Sequence, residues 1–202
     1  IKELVIRKMF FIFKHYKRRF LMLNRKLITL MNEQMNKEFY SAYLYLDFAN
    51  VYESKGLLGF ANWHKIQARE EQDHAMLFYQ YLHNNNAEVK LMTIESPDVR
   101  NTEAINGTNI KGEKLQDLLK ASLKHEEYIT SLINNIYSVA QELKDYKTMQ
   151  FLDWFVKEQG EEENNFQNLL VKAQLFCDDS KGLYLLDSEL AVRTYTAATL
   201  TV

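Results

Sequence analysis

The sequence is poor in residues that interrupt or cross-link a chain. Its 202 residues include one proline, six glycines and one cysteine, Cys177. Few helix breakers, together with abundant Leu, Glu, Gln, Lys and Met, favour an all-α protein. A single cysteine excludes an intramolecular disulfide framework and any cysteine-built zinc or iron–sulfur site within one subunit. Because this fits a reducing compartment, we expect a cytoplasmic protein.

Long apolar runs are also missing, since no stretch approaches the roughly 20 residues needed to span a bilayer. A length of 202 residues suits one domain with a sizeable core. The net charge is −2, but residues 1–32 carry nine Lys or Arg against one acid, which leaves 16 basic and 26 acidic side chains in the remainder. An acidic body disfavours a nucleic-acid surface and favours cation binding. We therefore expect neither a nucleic-acid nor a membrane partner.

Apolar residues recur at helical spacing in four long segments. We predict helices over about 24–53, 57–85, 113–143 and 146–174, and a short fifth helix over 188–196 with Asp187 or Ser188 as its N-cap. The short turns after the first and third helices make each pair antiparallel neighbours. The connection over residues 86–112 is long enough to run the length of the bundle.

This long connection leaves two interpretations open. Val89, Leu91 and the run at 92–94 are apolar and extended in pattern, so they either pack on their own bundle or pair across a subunit interface. Residues 101–112 are polar, contain two glycines and are typical of a loop insertion.

Acidic residues stand where the core-facing side of a bundle helix should be apolar. Glu38 lies in the first helix, and Tyr45 follows seven residues later on the same face. The second helix contains Glu71-x-x-His74, a spacing that lets a carboxylate oxygen and an imidazole nitrogen hold one metal ion. The third helix carries the sequence HEE at 125–127, and the fourth carries EQGEEE at 158–163. Each long helix therefore offers a carboxylate near its middle.

Carboxylates with one imidazole and no thiolate suit iron or manganese. Several carboxylates inside a bundle repel one another and need cations to be tolerated. Each motif alone has a plainer explanation: Glu-x-x-His and the 161–163 run also occur on solvated faces, and His64, His125 and Tyr45 also suit packing. The prediction of a metal site rests on the occurrence of these motifs together, on all four long helices.

The chain resembles the bacterial non-haem ferritins from about Met22 to Leu190. The matching stretches are LMNEQMNKEFYS at 30–41, EEQDH at 70–74, HE at 125–126 and FLDWFVKEQ at 151–159. The resemblance implies an all-α, ferritin-like up-up-down-down four-helix bundle, with a long crossover between helices two and three and a short fifth C-terminal helix. Residues 22–202 would form this domain.

The resemblance also implies roles for individual residues. Six residues would hold or neighbour two irons, with Glu71 bridging: Glu38, Glu71, His74, Glu126, Gln159 and Glu162. Four carboxylates would form or share a third iron site: Glu70, Glu158, Glu161 and Glu162. Tyr45 would be a redox tyrosine with Trp154 as its aromatic neighbour.

The fourth helix has no histidine, whereas bacterioferritins and related oxidases resemble a pattern with two Glu-x-x-His motifs. This asymmetry favours iron as a substrate in transit through a di-iron centre, and no haem is expected. The implied function is iron storage with ferroxidase activity, using dioxygen or peroxide, in a homo-oligomeric shell of 24 subunits. The alternatives are a soluble di-iron carboxylate oxidase acting on another substrate and a helical interaction module whose acids all lie on the surface.

Met22 occupies the place of the family's initiating methionine, so residues 1–21 form a basic N-terminal extension. It is sequence upstream of the natural start, a surface-binding arm or a targeting peptide. The apolar run at 9–13 is too short for a secretory signal.

Overall fold

The computed structural model of the protein describes residues 23–97 and 115–202. Within those ranges there are five helices and no strand: α1 (Arg25–Ser54), α2 (Leu58–Asn84), α3 (Leu115–Glu142), α4 (Tyr146–Phe176) and α5 (Ser180–Leu190). The all-α prediction is confirmed, and the four long helices begin and end within two residues of their predicted bounds. The N-terminal extension and the 101–112 insertion lie outside the described residues and stay predictions. None of the described helices is both long and apolar enough to cross a membrane.

Contacts between the helices fix their directions. The short turns make α1 antiparallel to α2 and α3 antiparallel to α4. Ser41 Oγ lies 2.7 Å from His125 Nε2, and Tyr52 OH donates to the Leu115 carbonyl at 3.1 Å, so α3 also runs antiparallel to α1. The order along the chain is therefore up, down, down, up. The ferritin-like four-helix bundle is confirmed, but the predicted up-up-down-down order is wrong, because the crossover returns the chain to the end where α2 began.

The start of the crossover is held against its own bundle by two asparagines one turn apart on α1. The side-chain amides of Asn32 and Asn36 donate to the carbonyls of Glu88 and Lys90 at 2.9 and 2.8 Å. Their side-chain oxygens accept from the N–H groups of Lys90 and Met92 at 2.6 and 2.8 Å. This extended segment thus packs on its own chain, while its pairing across a subunit interface stays a prediction.

The core consists of two apolar clusters, one towards each end of the bundle. One is built around Tyr45, Phe48 and Phe166, and the other around Phe78 and Phe155. Full burial of a side chain of this size contributes about 1.5–3 kcal/mol to folding. Between the clusters the helices carry buried polar residues, and these form the candidate site.

The fifth helix begins at Ser180 and not at the predicted Ser188. Asp179 is its N-cap, because the Asp179 carboxylate accepts from the N–H groups of Lys181 and Gly182 at 3.1 and 2.9 Å. The predicted range 188–196 is wrong. The polar residues after α4 not only end that helix but also cap the next one, so α5 follows almost at once.

Asp187, predicted as the N-cap of α5, instead caps α2. Its Oδ1 accepts from the N–H groups of Gly59 and Phe60 at 2.8 and 3.0 Å. Leu57, at the N-cap position of α2, provides no side-chain acceptor of its own. The approach is possible because Gly59 has no side chain: a Cβ atom there would lie 1.7 Å from the Asp187 carbonyl oxygen.

We expect Gly59→Ala to lower the melting temperature Tm of the metal-free protein, because the added methyl overlaps the α5 backbone. Overpacking costs about 1–3 kcal/mol, which corresponds to a loss of roughly 5 °C. Gly160→Ala is the matched control: a Cβ there meets nothing within 4 Å, and alanine is favoured over glycine in a helix by about 1 kcal/mol. Equal changes in Tm for the two variants would contradict the role given to Gly59.

Candidate metal centre

Six polar side chains, each less than 5% exposed, lie between the two apolar clusters: Glu38, Glu71, His74, Glu126, Gln159 and Glu162. They come from all four long helices. Acidic side chains are almost never fully buried unless they are paired. The alternative of an interaction module with all its acids on the surface is therefore wrong.

Three of these side chains are arranged to share a cation. One ligand atom each from Glu38, Glu71 and His74 lies within 4.8 Å of the other two. His74 Nδ1 is 3.5 Å from Glu71 Oε2, which is longer than a good hydrogen bond. Two ligands on one metal, each at about 2.1 Å, lie roughly 3–3.5 Å apart. The i, i+3 spacing on α2 thus gives the separation that a shared metal requires.

Glutamine amides orient two of the carboxylates. Gln34 Nε2 donates to Glu38 Oε1 at 2.8 Å, and Gln67 Nε2 donates to Glu71 Oε1 at 3.3 Å. The second oxygen of Glu38 is buried without a hydrogen-bond partner in the described structure, as is Oε2 of Glu162. One oxygen of Glu38 and of Glu71 is therefore held by a neutral donor, which leaves the other available to a metal.

Glu126 receives two donors. Tyr45 OH donates to Glu126 Oε1, and Gln159 Nε2 donates to Glu126 Oε2 at 3.1 Å. Burial, followed by the charge of Glu126, raises the pKa of Tyr45 well above its ordinary value, so the phenol keeps its proton. The structure thus brings Tyr45, Glu126 and Gln159 together, as the sequence predicted.

The ring neighbours of Tyr45 differ from the expectation. Tyr45 stacks on Phe166 at 5.5 Å and meets His125 edge-on at 6.0 Å between ring centroids. Trp154, expected beside Tyr45, contacts His74 at 5.5 Å instead. Trp154 therefore packs on His74 and not on the tyrosine.

Electrostatics of the metal-free centre favour protonated carboxyls. Burial, followed by the charge of Glu71, raises the pKa of Glu38 to about 8. Burial, followed by the charge of Glu126, raises the pKa of Glu162 to about 8. Burial is also the main cause that raises the pKa values of Glu71 and Glu126 well above the ordinary range. A divalent cation would take the place of these protons.

Three of the four acids predicted for a third iron site, Glu70, Glu158 and Glu161, line a cavity of about 360 Å³ beside this centre, whereas the fourth, Glu162, belongs to the buried centre itself. His74 and Lys157 line it too, and Lys157 Nζ lies 3.4 Å from Glu161 Oε1. Glu70 is mostly buried and Glu161 mostly exposed, with side-chain exposures of 17% and 59%. Glu70 pairs with Arg193 at 2.6 Å. The cavity and the centre therefore share His74 as a wall.

The other two buried histidines of the described residues, His64 and His125, pack in the core, and His64 Nε2 has no hydrogen-bond partner there. His64 Nδ1 donates to the Phe60 carbonyl at 2.9 Å, and burial lowers the pKa of His64 to about 4. His125 bonds to Ser41, and burial lowers its pKa to about 3. Both rings are neutral at pH 7, and the packing interpretation is confirmed.

Sequence reasoning missed Gln34, Gln67 and Arg193. The two glutamines carried a local signal, because each stands four residues before a predicted ligand on the same helix face. Arg193 carried none, since its partner Glu70 lies 123 positions away.

The family model described as a ferritin-like domain matches residues 28–176. The chain belongs to the ferritin-like family. It is 34% identical over 169 residues to a probable bacterial non-heme ferritin-like protein of Haemophilus influenzae, covering 84% of this chain and 96% of that one. It is 32% identical over 174 residues to a bacterial non-heme ferritin of Staphylococcus aureus, covering 86% and 98%.

Solved ferritin structures superpose on most of the chain. A closed form of the Archaeoglobus fulgidus ferritin, engineered by site-directed mutagenesis, matches with a TM-score of 0.79 and 33% identity, over 86% of this chain and 99% of that one. The open-pore ferritin of the same organism matches with a TM-score of 0.78 and 33% identity, over 85% and 98%. The resemblance to bacterial non-haem ferritins and the ferritin-like fold are thereby confirmed.

We expect the metal-free protein to lose stability as the pH rises from about 5 to 8. Between the ordinary carboxyl pKa of 4.5 and the folded value of about 8, the folded chain holds protons on Glu38 and Glu162 that the unfolded chain has released. Rising pH therefore favours unfolding. Glu162→Gln removes one such group and should raise Tm at pH 8 by about 5 °C, with little change at pH 5.

Thermal scans in the presence of a chelator measure this effect. Glu127→Gln, on the exposed side of α3, is the control and should change Tm little at either pH. A wild-type Tm that does not fall between pH 5 and pH 8 would contradict the prediction.

Proposed function

We propose that this protein oxidises Fe(II) to Fe(III) at the centre of Glu38, Glu71, His74 and Glu126, and stores ferric oxyhydroxide inside a hollow homo-oligomeric shell. The observation that carries the proposal is the burial of carboxyl groups from four helices around one imidazole. Burying these carboxylates without a cation destabilises the fold, because removing a carboxylate from water costs several kcal/mol. Membership of the ferritin-like family and the names of the relatives support iron as that cation.

The donor set suits iron as a substrate. Carboxylate oxygens with one imidazole bind Fe(II), and the same hard oxygens favour the Fe(III) product. Each Fe(II) gives up one electron, and two such electrons with two protons reduce dioxygen to hydrogen peroxide. Because Glu38 and Glu162 hold protons near neutral pH, iron binding releases protons inside the centre.

The fourth helix contributes Gln159 and Glu162 where a second Glu-x-x-His motif would place another imidazole. Gln159 is a neutral donor to Glu126, so this side of the centre holds metal less firmly than the Glu71–His74 side. This asymmetry supports iron in transit. The cavity beside the centre is lined by three acids, Glu70, Glu158 and Glu161, against one base, Lys157. This acidic balance suits cations better than an organic substrate and disfavours the alternative of a di-iron oxidase acting on another substrate. We propose that these acids, with Glu162, form a third iron site.

Assembly is supported by exposed apolar side chains near α5. Leu58, Tyr184, Leu185 and Val192 are 61–77% exposed. Large apolar groups left in water mark contact surfaces. We propose that they are buried between subunits, in a shell that the family resemblance puts at 24 copies, and that the protein works in the cytoplasm.

We expect Glu71→Ala with His74→Ala to slow aerobic Fe(II) oxidation by tenfold or more, because the metal then loses a bridging carboxylate and the imidazole. The control is Glu127→Ala with His83→Ala, a matched pair of residue types on exposed positions. The measurements are the initial oxidation rate and particle size by light scattering. A double variant that oxidises iron at the wild-type rate would refute the site, and a small wild-type oligomer without accelerated oxidation would refute storage.

We propose Tyr45 as the redox tyrosine, because its hydroxyl touches a ligand of the centre. Tyr45→Phe should leave Zn(II) binding intact, yet slow iron oxidation severalfold and remove any tyrosyl radical signal formed with dioxygen. Tyr43→Phe, which alters an exposed tyrosine on the same helix, is the control and should change neither. A radical that persists in Tyr45→Phe would assign it elsewhere.

A further inference from the structure

Residues 191–202, here called the C-terminal strap, run from the end of α5 along α2. Asn62 Nδ2 donates to the Arg193 carbonyl at 3.1 Å and fixes the start of the strap. Farther along α2, the Asp73 carboxylate accepts from Tyr195 OH at 2.5 Å and from the Ala198 N–H at 3.2 Å. Arg69 lies over the Tyr195 ring at 3.8 Å. The strap is therefore anchored to α2 over three turns.

The strap also reaches α4. Trp154 Nε1 donates to Thr199 Oγ1 at 3.3 Å, and Leu200 and Val202 pack against one of the apolar clusters. The strap thus bridges α2 and α4. These are the helices that carry Glu70, Glu158 and Glu161.

The acidic cavity lies beneath this bridge. Strap residues 196–199 form one wall of the roughly 360 Å³ space, and Glu70, Glu158, Glu161 and His74 face it from the helices. Lys157 lines the cavity as well, and its Nζ lies 3.4 Å from Glu161 Oε1. His74 belongs to the buried centre as well. A cation in the cavity is therefore separated from the centre by a single imidazole ring.

Arg193 places its guanidinium on the acid at the edge of this cavity. Nη2 lies 2.6 Å from Glu70 Oε2, and Nη1 donates to Gln67 Oε1 and to the Trp63 carbonyl, both at 3.2 Å. The guanidinium also lies 4.3 Å from the centroid of the Trp63 ring. The side chain is only 22% exposed, so this ion pair is shielded from solvent and is stronger than a surface pair.

We propose that Arg193 is the resident counter-ion of Glu70 in the acidic cavity, as Lys157 is of Glu161, and that Arg193 lowers the affinity of the cavity for metal cations. A divalent cation that binds Glu70 has to displace the guanidinium or accept its repulsion at close range. Arg193 thereby keeps the cavity from holding metal as tightly as the centre does. The inference rests on the proposed function only in taking iron as the natural cation.

The same guanidinium connects the cavity to the centre. Gln67 accepts from Arg193 through its oxygen and donates to Glu71 through its amide nitrogen. When a cation displaces Arg193, Gln67 loses one of the contacts that orient it. Filling the cavity therefore loosens the hold on a ligand of the centre, and coupling of this kind is reciprocal.

The test is a Zn(II) titration of the metal-free full chain, because zinc binds such acids without redox chemistry. We expect Arg193→Gln to tighten the weakest zinc site of each subunit by about tenfold, since a positive charge near Glu70 is removed. Arg193→Lys, which keeps the charge, should stay within about threefold of the wild type. Glu70→Gln should weaken this site in either background.

A second variant distinguishes the effect of the Arg193 charge on zinc affinity from the effect of the strap that covers the cavity. Asp73→Asn weakens the anchor of Tyr195 and Ala198 but keeps Arg193, so it should leave the zinc affinity of the cavity within about threefold. If Arg193→Gln leaves the titration unchanged, or if Asp73→Asn tightens zinc as much as Arg193→Gln does, the assignment to Arg193 is overturned. Hydrogen exchange supplies an independent readout: zinc should speed exchange of strap amides in the wild type and not in Glu70→Gln.

The variant lacking both Glu71 and His74 side chains keeps the two hypotheses apart. In that background Arg193→Gln should still tighten the cavity site, even though the central sites are lost. If the double variant still oxidises iron at the wild-type rate, the proposed function fails while the result for Arg193 stands. If Arg193→Gln has no effect on zinc while the double variant abolishes oxidation, only the counter-ion inference fails.

Discussion

Repulsion among carboxyl groups buried between two apolar clusters is the constraint on which the rest of this structure depends. Glu38, Glu71, Glu126 and Glu162 are each less than 5% exposed. Removing such groups from water as anions costs several kcal/mol apiece, and the metal-free protein avoids part of that cost by holding protons. The aromatic and aliphatic clusters on either side stabilise the bundle enough to tolerate the part of this free-energy cost that remains. A cation that replaces the protons converts an unfavourable core into a binding site.

The polar partners of these acids follow from the same constraint. Gln34, Gln67 and Gln159 donate neutral N–H groups to the central carboxylates. A lysine or arginine at these positions would neutralise the acids and compete with metal permanently. Cationic partners lie instead on acids of the neighbouring cavity, Arg193 on Glu70 and Lys157 on Glu161. The acids of the centre thus have neutral hydrogen-bond donors, whereas two acids of the cavity have cationic partners.

Features encoded within one helix were predictable from the sequence, and features that join distant segments were not. The four long helices and the Glu71–His74 pair follow from local periodicity and spacing. The fifth helix was misplaced because Asp187 looks like the cap of its own helix but caps α2 instead. The strap was missed because no periodic pattern marks residues 191–202. The direction of the helices was derivable: short turns after the first and third helices and a crossover as long as the bundle together give up, down, down, up, and the predicted up-up-down-down order did not follow from them.

The fifth helix, which was misplaced in the prediction, and the C-terminal strap, which was missed, together position Arg193. The Asp187 cap and the bare backbone of Gly59 fix the position of α5 on α2, and the chain leaves α5 only a few residues before Arg193. The side-chain amide of Asn62 then donates to the carbonyl of Arg193 itself. The guanidinium therefore reaches Glu70 in only one alignment of the strap along α2. A shift of α5 by one residue would rotate its direction by about 100° and carry the guanidinium away from the acid. The helix cap at Asp187 therefore helps to position the positive charge that pairs with Glu70.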